Sequence, residues 1–191
     1  FCFRLAQRIV VGKLRNQRVL AARLGRRGGL AEGAGALARA MEQAEAAMDL
    51  AALRGVEGHG AVVYFRCLRA AFDPLWGFVD RNRRPPRDPV NALLSLGYSL
   101  LTQSMMTALG VVGLDPYLGS FHAEAHGRPA LALDLVEEFR APVVDSLVLW
   151  TIKQRSLQPD DFEPDETPGG VRLTERGLRV FLAQFSNKLE A

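Results

Sequence analysis

Three carboxylates on one predicted helix have the spacing needed to bind a cation together. Asp134, in the segment LALDLVEEFR, is three residues from Glu137 and four from Glu138. Residues three or four apart lie on nearly the same helix face, so Asp134 and either glutamate can point at one spot. Their mutual repulsion is reversed when a cation lies between them. The spacing alone does not choose between the two glutamates, and a solvated acidic face explains it more simply.

His122 and Glu57 are further candidates for such a site. His122 follows the Gly- and Pro-containing segment GLDPYLGSF, which is typical of a side chain at the mouth of a helix bundle. Glu57 stands between Gly55 and Gly58 at a predicted helix start, where a favourable N-terminal charge is the alternative explanation. Imidazole and carboxylate ligands together suit manganese or magnesium in phosphoryl chemistry. Taken singly, each of these residue types is more often structural than catalytic.

The other two histidines, His59 and His126, are assigned to the surface or to a supporting role. His126 forms an H-x-x-x-H pair with His122, which resembles the metal-binding helix of zinc proteases. That helix requires Glu directly after its first histidine, and this sequence has Ala123 there. The pair therefore does not indicate a zinc protease.

Basic residues are the second feature with a chemical use, because they could bind phosphates. Residues 1–30 contain eight basic side chains and no Asp or Glu, and the loop RNRRPPRDP is also basic. Such residues make sequence-independent contacts to nucleic acids. For the loop, pairing of its arginines with Asp80 and Asp88 is an equally good explanation. The DNA contacts predicted from these segments are Lys13, Arg18, Arg81, Arg83, Arg84 and Arg87.

The elements that position these side chains are predicted to be helices, since Ala-, Leu-, Arg- and Glu-rich segments dominate and strand-like alternation is scarce. A first helix is predicted from about Phe3 to Leu24, ending at the turn GRRGG. A second is predicted from about Leu30 to Leu53 and packs with the first as a hairpin. Its buried face would contain Leu37, Met41, Ala44 and Met48. A third helix should begin near Glu57 and end before Pro74.

Asp88 followed by Pro89 predicts the start of a long apolar helix. Asp can accept hydrogen bonds from the free N–H groups there, and Pro needs no partner at the first helical position. The stretch from Pro89 to Leu114 carries no charge, but its Asn, Gln, Ser and Thr side chains are too numerous for a membrane span. We therefore expect this helix at the buried centre of a helical domain.

The last third of the chain is predicted to contain two further helical regions. One runs from about Ala130 into Phe139, kinks around Pro142 and resumes through VVDSLVLWTIKQ. The acidic, Pro-containing stretch after it is predicted to be a surface loop. Thr174 could cap a final helix that ends near Leu189.

Composition agrees with one globular domain in a reducing compartment. The chain has 191 residues, 48% of them hydrophobic and 24% charged, with a net charge of +3. Cys2 and Cys67 have no C-x-x-C spacing, so they indicate neither a disulfide framework nor a cysteine metal site, and a cytoplasmic location fits. The first residues contain neither an initiator Met nor a signal peptide, which suggests part of a longer protein.

Five segments occur together in a fixed order: IVVGKLRNQR, RGVEGHGAVVYF, RRPPRDPVNALLSLGYSLL, GLDPYLGSFH and LALDLVEEFRAPVVD. In that order they resemble the catalytic domain of the CRISPR-associated integrase, the universal first-numbered Cas protein of spacer acquisition. The resemblance runs from about Ile9 to Asp145 and continues more loosely to the end. It implies an all-α catalytic domain over residues 1–191, divided into a helical hairpin at 1–54, a catalytic core at 55–157 and an acidic loop with a final helix at 158–191.

The resemblance also implies a specific site. Glu57, His122 and Glu137 would bind Mn²⁺ or Mg²⁺, and Asp134 would be a fourth catalytic residue that orients a ligand or holds a second metal. The last acid of the family's pattern comes three residues after the Asp, which selects Glu137 over Glu138. Two more residues, Asn91 and Tyr98, resemble the family's site-lining and DNA-contacting residues.

The function implied by the resemblance is integration of DNA. The family joins the 3′-hydroxyl of captured DNA to a CRISPR repeat by transesterification and acts as an endonuclease on branched DNA. The implied partners are double-stranded and branched DNA, a second copy of the chain, and the small second-numbered CRISPR-associated protein. The family's amino-terminal β-rich domain has no counterpart in this sequence, and a fused acquisition domain or reverse transcriptase is one explanation.

Two other functions fit the same residues. An integrase of a related mobile element would use the same catalytic domain, and its site motifs would not differ. A non-catalytic DNA-binding or assembly module would retain its function without the metal ligands. In that case the substitutions Glu57→Ala and His122→Ala would be tolerated, and DNA affinity would respond to salt more than to manganese.

Overall fold

The computed structural model describes residues 1–25, 31–123 and 125–190. In these ranges the chain is predominantly helical, with one two-stranded sheet, which confirms the all-α prediction. The α-helices are α1 (Cys2–Gly25), α2 (Ala31–Ala46), α3 (Leu50–Arg69), α4 (Pro89–Val111), α5 (Ala130–Phe139), α6 (Ser146–Lys153) and α7 (Glu175–Glu190). Short 3-10 turns lie at Pro74–Trp76 and Pro159–Asp161, and a π-helical segment, Arg140–Asp145, joins α5 to α6. Strands β1 (Phe162–Pro164) and β2 (Val171–Leu173) form a small antiparallel hairpin.

Helix α1 lies against α2, α3 and α5 and so joins the elements that carry the candidate site. Its buried residues recur every three or four positions, as expected for one face of a helix, and two of them, Lys13 and Gln17, are polar. Gly12 permits α1 to approach α5 closely, because a Cβ atom there would lie 2.6 Å from Cδ of Glu138. This close approach brings Lys13 within reach of Glu137.

The break between α2 and α3 lies earlier than predicted. Helix α3 begins at Leu50 because Asp49 caps it, accepting a hydrogen bond of 2.8 Å from the Ala52 N–H. Met48 is consequently exposed instead of lying on the buried face of α2. Glu57 lies two turns inside α3, so its charge is not an N-terminal cap. The predicted boundary at residue 54 also falls within this helix.

Several predicted boundaries are confirmed. The predicted limits of the first and fifth helices agree with α1 and α5, and the kink around Pro142 is the π-helical segment. Thr174 caps α7 by accepting a hydrogen bond of 3.2 Å from the Gly177 N–H. The acidic stretch is not a simple surface loop, because part of it forms β1 and the side chain of Asp161 is buried. The turn GRRGG and the predicted start of α2 at Leu30 involve residues outside the described ranges.

Helix α4 is buried most deeply in its first half, and of its later residues Leu101 and Leu109 are also buried. Val90, Leu93 and Leu94 are inaccessible to solvent, whereas Val111 at its last turn is 83% exposed. The expectation that the whole apolar stretch lies at the centre is therefore wrong for its end. None of the helices in the described ranges combines the length and apolar character needed to cross a membrane.

The start of α4 provides a test of the fold. Asp88 accepts hydrogen bonds from the Asn91 backbone N–H at 2.8 Å and from Asn91 Nδ2 at 2.7 Å. Loss of this buried cap in Asp88→Ala should lower the free energy of unfolding by about 1–2 kcal/mol, measured by urea denaturation. Asp160→Ala, at an exposed position, is the control. Equal stability of Asp88→Ala and wild type would contradict the capping role.

Candidate active site

His122 is held in place by Asp134, a buried carboxylate at the start of α5. Asp134 accepts hydrogen bonds from the backbone N–H groups of Ser120 (2.6 Å), Phe121 (2.9 Å) and His122 (2.8 Å). The same carboxylate lies 2.7 Å from Nδ1 of His122. Burial alone raises the pKa of Asp134, but these hydrogen bonds outweigh burial and hold its pKa below the ordinary value. Asp134 therefore orients the loop and the imidazole ring that follows it.

The contact between Asp134 and Nδ1 determines which ring nitrogen of His122 can act as a metal ligand. An ionised carboxylate only accepts hydrogen bonds, so a neutral His122 carries its proton on Nδ1 and leaves the lone pair of Nε2 free. Nε2 lies 3.8 Å from Oε1 of Glu137. Arg54 of α3 supports the loop from its other side by donating to the Phe121 carbonyl at 2.9 Å. The free nitrogen thus faces a glutamate one turn of α5 away from Asp134.

Glu57 and Glu137 converge on a third side chain, the ammonium group of Lys13. Nζ of Lys13 lies 2.6 Å from Oε2 of Glu137 and forms a second ion pair and hydrogen bond with Oε1 of Glu57. The side chains of Lys13 and Glu137 are 8% and 5% exposed. Three helices, α1, α3 and α5, each contribute one residue to this cluster. The two carboxylates therefore already share a cation inside the protein.

Glu137 has a second cationic partner, Arg140, the first residue of the π-helical segment. Nη1 of Arg140 lies 2.6 Å from Oε1 of Glu137. Burial raises the pKa of Glu137, but the charges of Lys13 and Arg140 outweigh burial and hold its pKa below the usual range. Glu137 is therefore ionised at neutral pH, as a metal ligand must be.

The donor set fits a hard divalent ion. Two ligand atoms that are each about 2.1 Å from one ion can lie up to about 4.2 Å apart, so the separation of His122 Nε2 and Glu137 Oε1 is compatible with a shared ion. Carboxylate oxygens with one imidazole are a suitable set for Mn²⁺ or Mg²⁺. Among residues 1–25, 31–123 and 125–190, however, no three His, Cys, Asp or Glu side chains form a ready-made metal cage. The Lys13 ammonium group lies between the carboxylates of Glu57 and Glu137.

Glu138, which the spacing could not distinguish from Glu137, lies in a different place. Its carboxylate lies against Gly12 and lines a small surface pocket with Arg15, Arg8 and Glu45. Burial raises the pKa of Glu138, with Arg15 opposing the rise. The side chains of Asp134 and Glu137 are thus the pair on the face of α5 that meets His122.

Asn91 and Arg81 have structural partners that sequence analysis did not anticipate. Asn91 is fully buried, and its amide donates to the Asp80 carbonyl and the Asp88 carboxylate while its oxygen accepts from Arg81 and the Asn82 N–H. Arg81 also donates to Ser95 at 3.0 Å. Asn91 therefore holds the basic loop in place, and the N–H and oxygen of its side-chain amide are engaged within the protein instead of facing DNA. Lys13, likewise buried, is placed in the carboxylate cluster instead of on the DNA-facing surface predicted for it.

A basic pocket of about 380 Å³ adjoins the site. Tyr98 lines it, with the guanidinium groups of Arg140 and Arg81 at 4.8 and 5.4 Å from its ring centroid. Arg140 therefore borders both this pocket and the carboxylate cluster. The pocket is lined by Arg81, Arg83, Arg84, Ser95, Tyr98, Ser99, Thr102, Gln103, Pro129, Leu133 and Arg140.

The remaining predicted positions lie at the surface. The side chains of Arg83, Arg84 and Arg87 are exposed on the basic loop, where they are free to meet a polyanion. Arg18 is exposed on α1 and lines a shallow pocket with Ala34 of α2, on a different face from Lys13. His59 and His126 are exposed, as expected. Glu124, between the two histidines of HAEAH, is outside the described ranges.

Asp145 is a buried carboxylate that sequence analysis missed. It ends the π-helical segment and accepts hydrogen bonds from the hydroxyl groups of Tyr64 (2.5 Å) and Tyr98 (2.6 Å). Burial raises the pKa of Asp145 from 3.8 to about 6, although the two tyrosines oppose the rise. The network connects the base of the basic pocket to the core. A short stretch of π-helix, often found at functional sites, has no distinct sequence signal.

Asp145 should impose a measurable pH dependence on stability. Its folded-state pKa lies above the unfolded value, so the contribution of Asp145 to the free energy of unfolding falls as pH rises from about 4 to 6. This contribution is absent in Asp145→Asn. The free energy of unfolding of the variant minus that of wild type should therefore increase by roughly 2–3 kcal/mol as pH rises across that range. Urea denaturation at several pH values measures it, with Asp160→Asn as the exposed control. A difference independent of pH would contradict the raised pKa.

Comparisons with known proteins agree on one family. A family model for CRISPR associated protein Cas1 matches residues 1–187. The CRISPR-associated endonuclease Cas1 3 of Thermus thermophilus is 45% identical over 185 residues, which cover 97% of this chain and 54% of that protein. The solved Partial Cas6-RT-Cas1–Cas2 complex contains a chain that matches with a TM-score of 0.90 and 30% identity, covering 98% of this chain and 57% of that one.

A third similarity is to the solved structure named Casposase bound to integration product. It matches with a TM-score of 0.85 and 27% identity, covering 98% of this chain and 53% of that chain. The chain spans about half the length of the curated relatives and solved chains described here. The similarity therefore concerns one part of those proteins.

Proposed function

Because the chain belongs to the Cas1 family of CRISPR-associated proteins, we propose that it carries the active site of a metal-dependent DNA integrase and endonuclease. The reaction joins a 3′-hydroxyl of one DNA to a phosphodiester of another. One P–O bond forms, one breaks and the displaced strand leaves with a 3′-hydroxyl, so no energy-supplying cofactor is required. With water in place of the hydroxyl, the same site would cut DNA.

The observation that carries this proposal is the convergence of Glu57 and Glu137 on one cation beside the free Nε2 of His122. A buried carboxylate is costly unless paired, and here buried Glu137 and half-buried Glu57 lie around a single positive charge. Such a cluster is suited to a divalent ion. Relatives named endonucleases and a similar casposase structure bound to an integration product support phosphodiester chemistry at this place.

In the proposed reaction, Glu57, His122 Nε2 and Glu137 would hold the metal, and Asp134 fixes the His122 ring. When bound, Mn²⁺ or Mg²⁺ would polarise a phosphate oxygen and favour loss of the proton from the incoming 3′-hydroxyl. Arg140, 2.6 Å from Glu137, keeps that carboxylate ionised and lies close enough to meet the negative charge that develops on the phosphate. Asp134 is thus a positioning residue in this proposal, with no metal contact of its own.

The basic pocket is proposed to hold the DNA backbone. Arg83 and Arg84 expose their charges on one side of it, and Arg140 links it to the site. Arg87, on the same loop, would add a contact further along the backbone. These contacts are to phosphates and carry no sequence information, so recognition of a repeat must come from elsewhere. Tyr98, held by Asp145, gives this pocket a rigid base.

The partners proposed for the whole protein are DNA, a second copy of this chain and a Cas2 protein. The Cas2 assignment follows from similarity to the Cas6-RT-Cas1–Cas2 complex, which also supports a fusion to a reverse transcriptase or other acquisition domain. Dimerisation is implied only by the family.

The experiment that tests the proposal is a strand-transfer assay with the purified protein, a short duplex DNA with free 3′-hydroxyl ends and a repeat-containing plasmid. Joining is expected with Mn²⁺ or Mg²⁺ and should disappear in EDTA. Binding of the same DNA, measured in parallel, should depend on salt and persist in EDTA. Joining that persists without a divalent ion would overturn the proposal, as would binding without any joining or cutting under all metal conditions.

A further inference from the structure

Lys13 is a cationic side chain that lies between two of the proposed metal ligands. Its side chain is 8% exposed, and its ammonium group pairs with both proposed carboxylate ligands, Glu57 and Glu137. A lysine on a core-facing position of α1 loses its hydration and much of its side-chain freedom. These costs are offset because buried Glu137 and half-buried Glu57 would otherwise repel one another. Lys13 therefore acts on the site itself.

The charges around the site explain what Lys13 does there. Glu57, Asp134 and Glu137 contribute three negative charges, and Lys13 and Arg140 contribute two positive ones. The cluster is therefore nearly neutral without a metal, and a divalent ion entering it would give a net positive charge. Two cations cannot share the small space between Glu57 and Glu137 at low cost, because like charges a few ångströms apart in a dry site repel strongly.

From this geometry we infer that Lys13 is an internal counter-cation that a divalent metal must displace. In the metal-free protein, its ammonium group holds the carboxylates of Glu57 and Glu137 together. When the metal binds, the ammonium group leaves the space between them and moves toward the solvent-facing side of the cluster. The inference rests on the proposed metal site and adds that metal affinity is limited by competition with a residue of the protein.

The variant Lys13→Met tests this competition, because Met keeps the unbranched shape of Lys and removes its charge. Metal-free Lys13→Met should unfold at a lower temperature than wild type in EDTA. It should also bind Mn²⁺ at least about tenfold more tightly by isothermal titration calorimetry, since the ion no longer displaces a hydrogen-bonded charge. Arg8→Met is the matched control. It removes the same charge from an exposed position of α1, and its Mn²⁺ affinity should stay within about twofold of wild type.

The outcomes separate this inference from the proposed function. If wild type and Lys13→Met bind Mn²⁺ with equal affinity, or if the variant binds more weakly, Lys13 is only a structural ion pair and the displacement is wrong while the metal site stands. If neither protein binds Mn²⁺, the proposed metal site fails and the inference fails with it.

A second measurement needs no variant and so covers the case in which Lys13→Met does not fold. Reductive methylation of the wild-type protein, followed by peptide mass spectrometry, reports the reactivity of each lysine. Lys13 should react far more slowly than exposed Lys188 in EDTA, and its rate should rise when Mn²⁺ saturates the protein while that of Lys188 does not change. If the methylation rate of Lys13 stays constant or falls when Mn²⁺ is added, the inference that the metal displaces Lys13 is wrong.

Discussion

Glu137→Gln is expected to lower the rate of strand transfer at least about 10³-fold. The substitution preserves size but removes the charge that faces Lys13, Arg140 and His122 Nε2. A neutral amide is a much weaker ligand for a hard divalent ion, and it no longer fixes Arg140 at the phosphate. The measurement is the single-turnover rate of joining at saturating DNA and Mn²⁺. Unchanged DNA affinity and an unchanged circular-dichroism spectrum would show that the loss lies in the chemical step.

Glu138→Gln is the matched control for this prediction. It removes the same charge from the adjacent residue of α5, whose carboxylate lies against Gly12 and outside the cluster. Its rate of joining should remain within about threefold of wild type, because its carboxylate lies outside the cluster that would bind the metal. Equal losses in the two variants, or a Glu137→Gln rate within tenfold of wild type, would remove Glu137 from the site.

Asp134→Ala is expected to have the largest effect on stability. The substitution leaves three backbone N–H groups and Nδ1 of His122 without their acceptor. The free energy of unfolding should fall by roughly 3–5 kcal/mol, as for the loss of one member of a buried charged network. Mn²⁺ affinity should fall about 10–100-fold, because His122 loses the partner that orients it. Denaturation and calorimetry measure the two effects.

Asp115→Ala is the matched control for Asp134→Ala, because it removes another aspartate from the same region of the chain. Asp115 is exposed and accepts one hydrogen bond, from the Tyr117 N–H at 2.9 Å. Its replacement should cost less than about 1 kcal/mol and leave Mn²⁺ affinity unchanged. If Asp134→Ala is no more harmful than Asp115→Ala, Asp134 does not hold the His122 loop in solution.

Much of the fold follows from local sequence signals. Asp88 with Pro89 and Thr174 are capping residues whose effect depends on their nearest neighbours, and both helix starts are where these residues predict them. The predicted end of the second helix at Leu53 is wrong because Asp49 caps α3, which begins at Leu50. The exposure of Val111 depends on which elements pack over the end of α4, which local patterns do not encode.

The candidate site follows from the sequence only in part. The side chains of Asp134, Glu137 and His122 are brought together as the spacing and the family motifs implied. Lys13 was misassigned because its charge indicated the surface, although its position, seven residues from the buried Ala6 and Leu20, lies on the apolar face of α1. The roles of Arg140 and Asp145 do not follow from local patterns, because Tyr98 of α4 contacts both and Tyr64 of α3 contacts Asp145 only through the tertiary structure. Net charge predicted where DNA could bind but not which basic residues are buried.

The central claim is that Glu57, His122 and Glu137 bind one divalent ion. Diffraction from crystals grown with Mn²⁺ and recorded near the manganese absorption edge tests it most directly. We predict one strong anomalous peak about 2.0–2.3 Å from Nε2 of His122 and from a carboxylate oxygen of each glutamate. The absence of a peak there at saturating Mn²⁺, or a peak bound only by other residues, would contradict the claim.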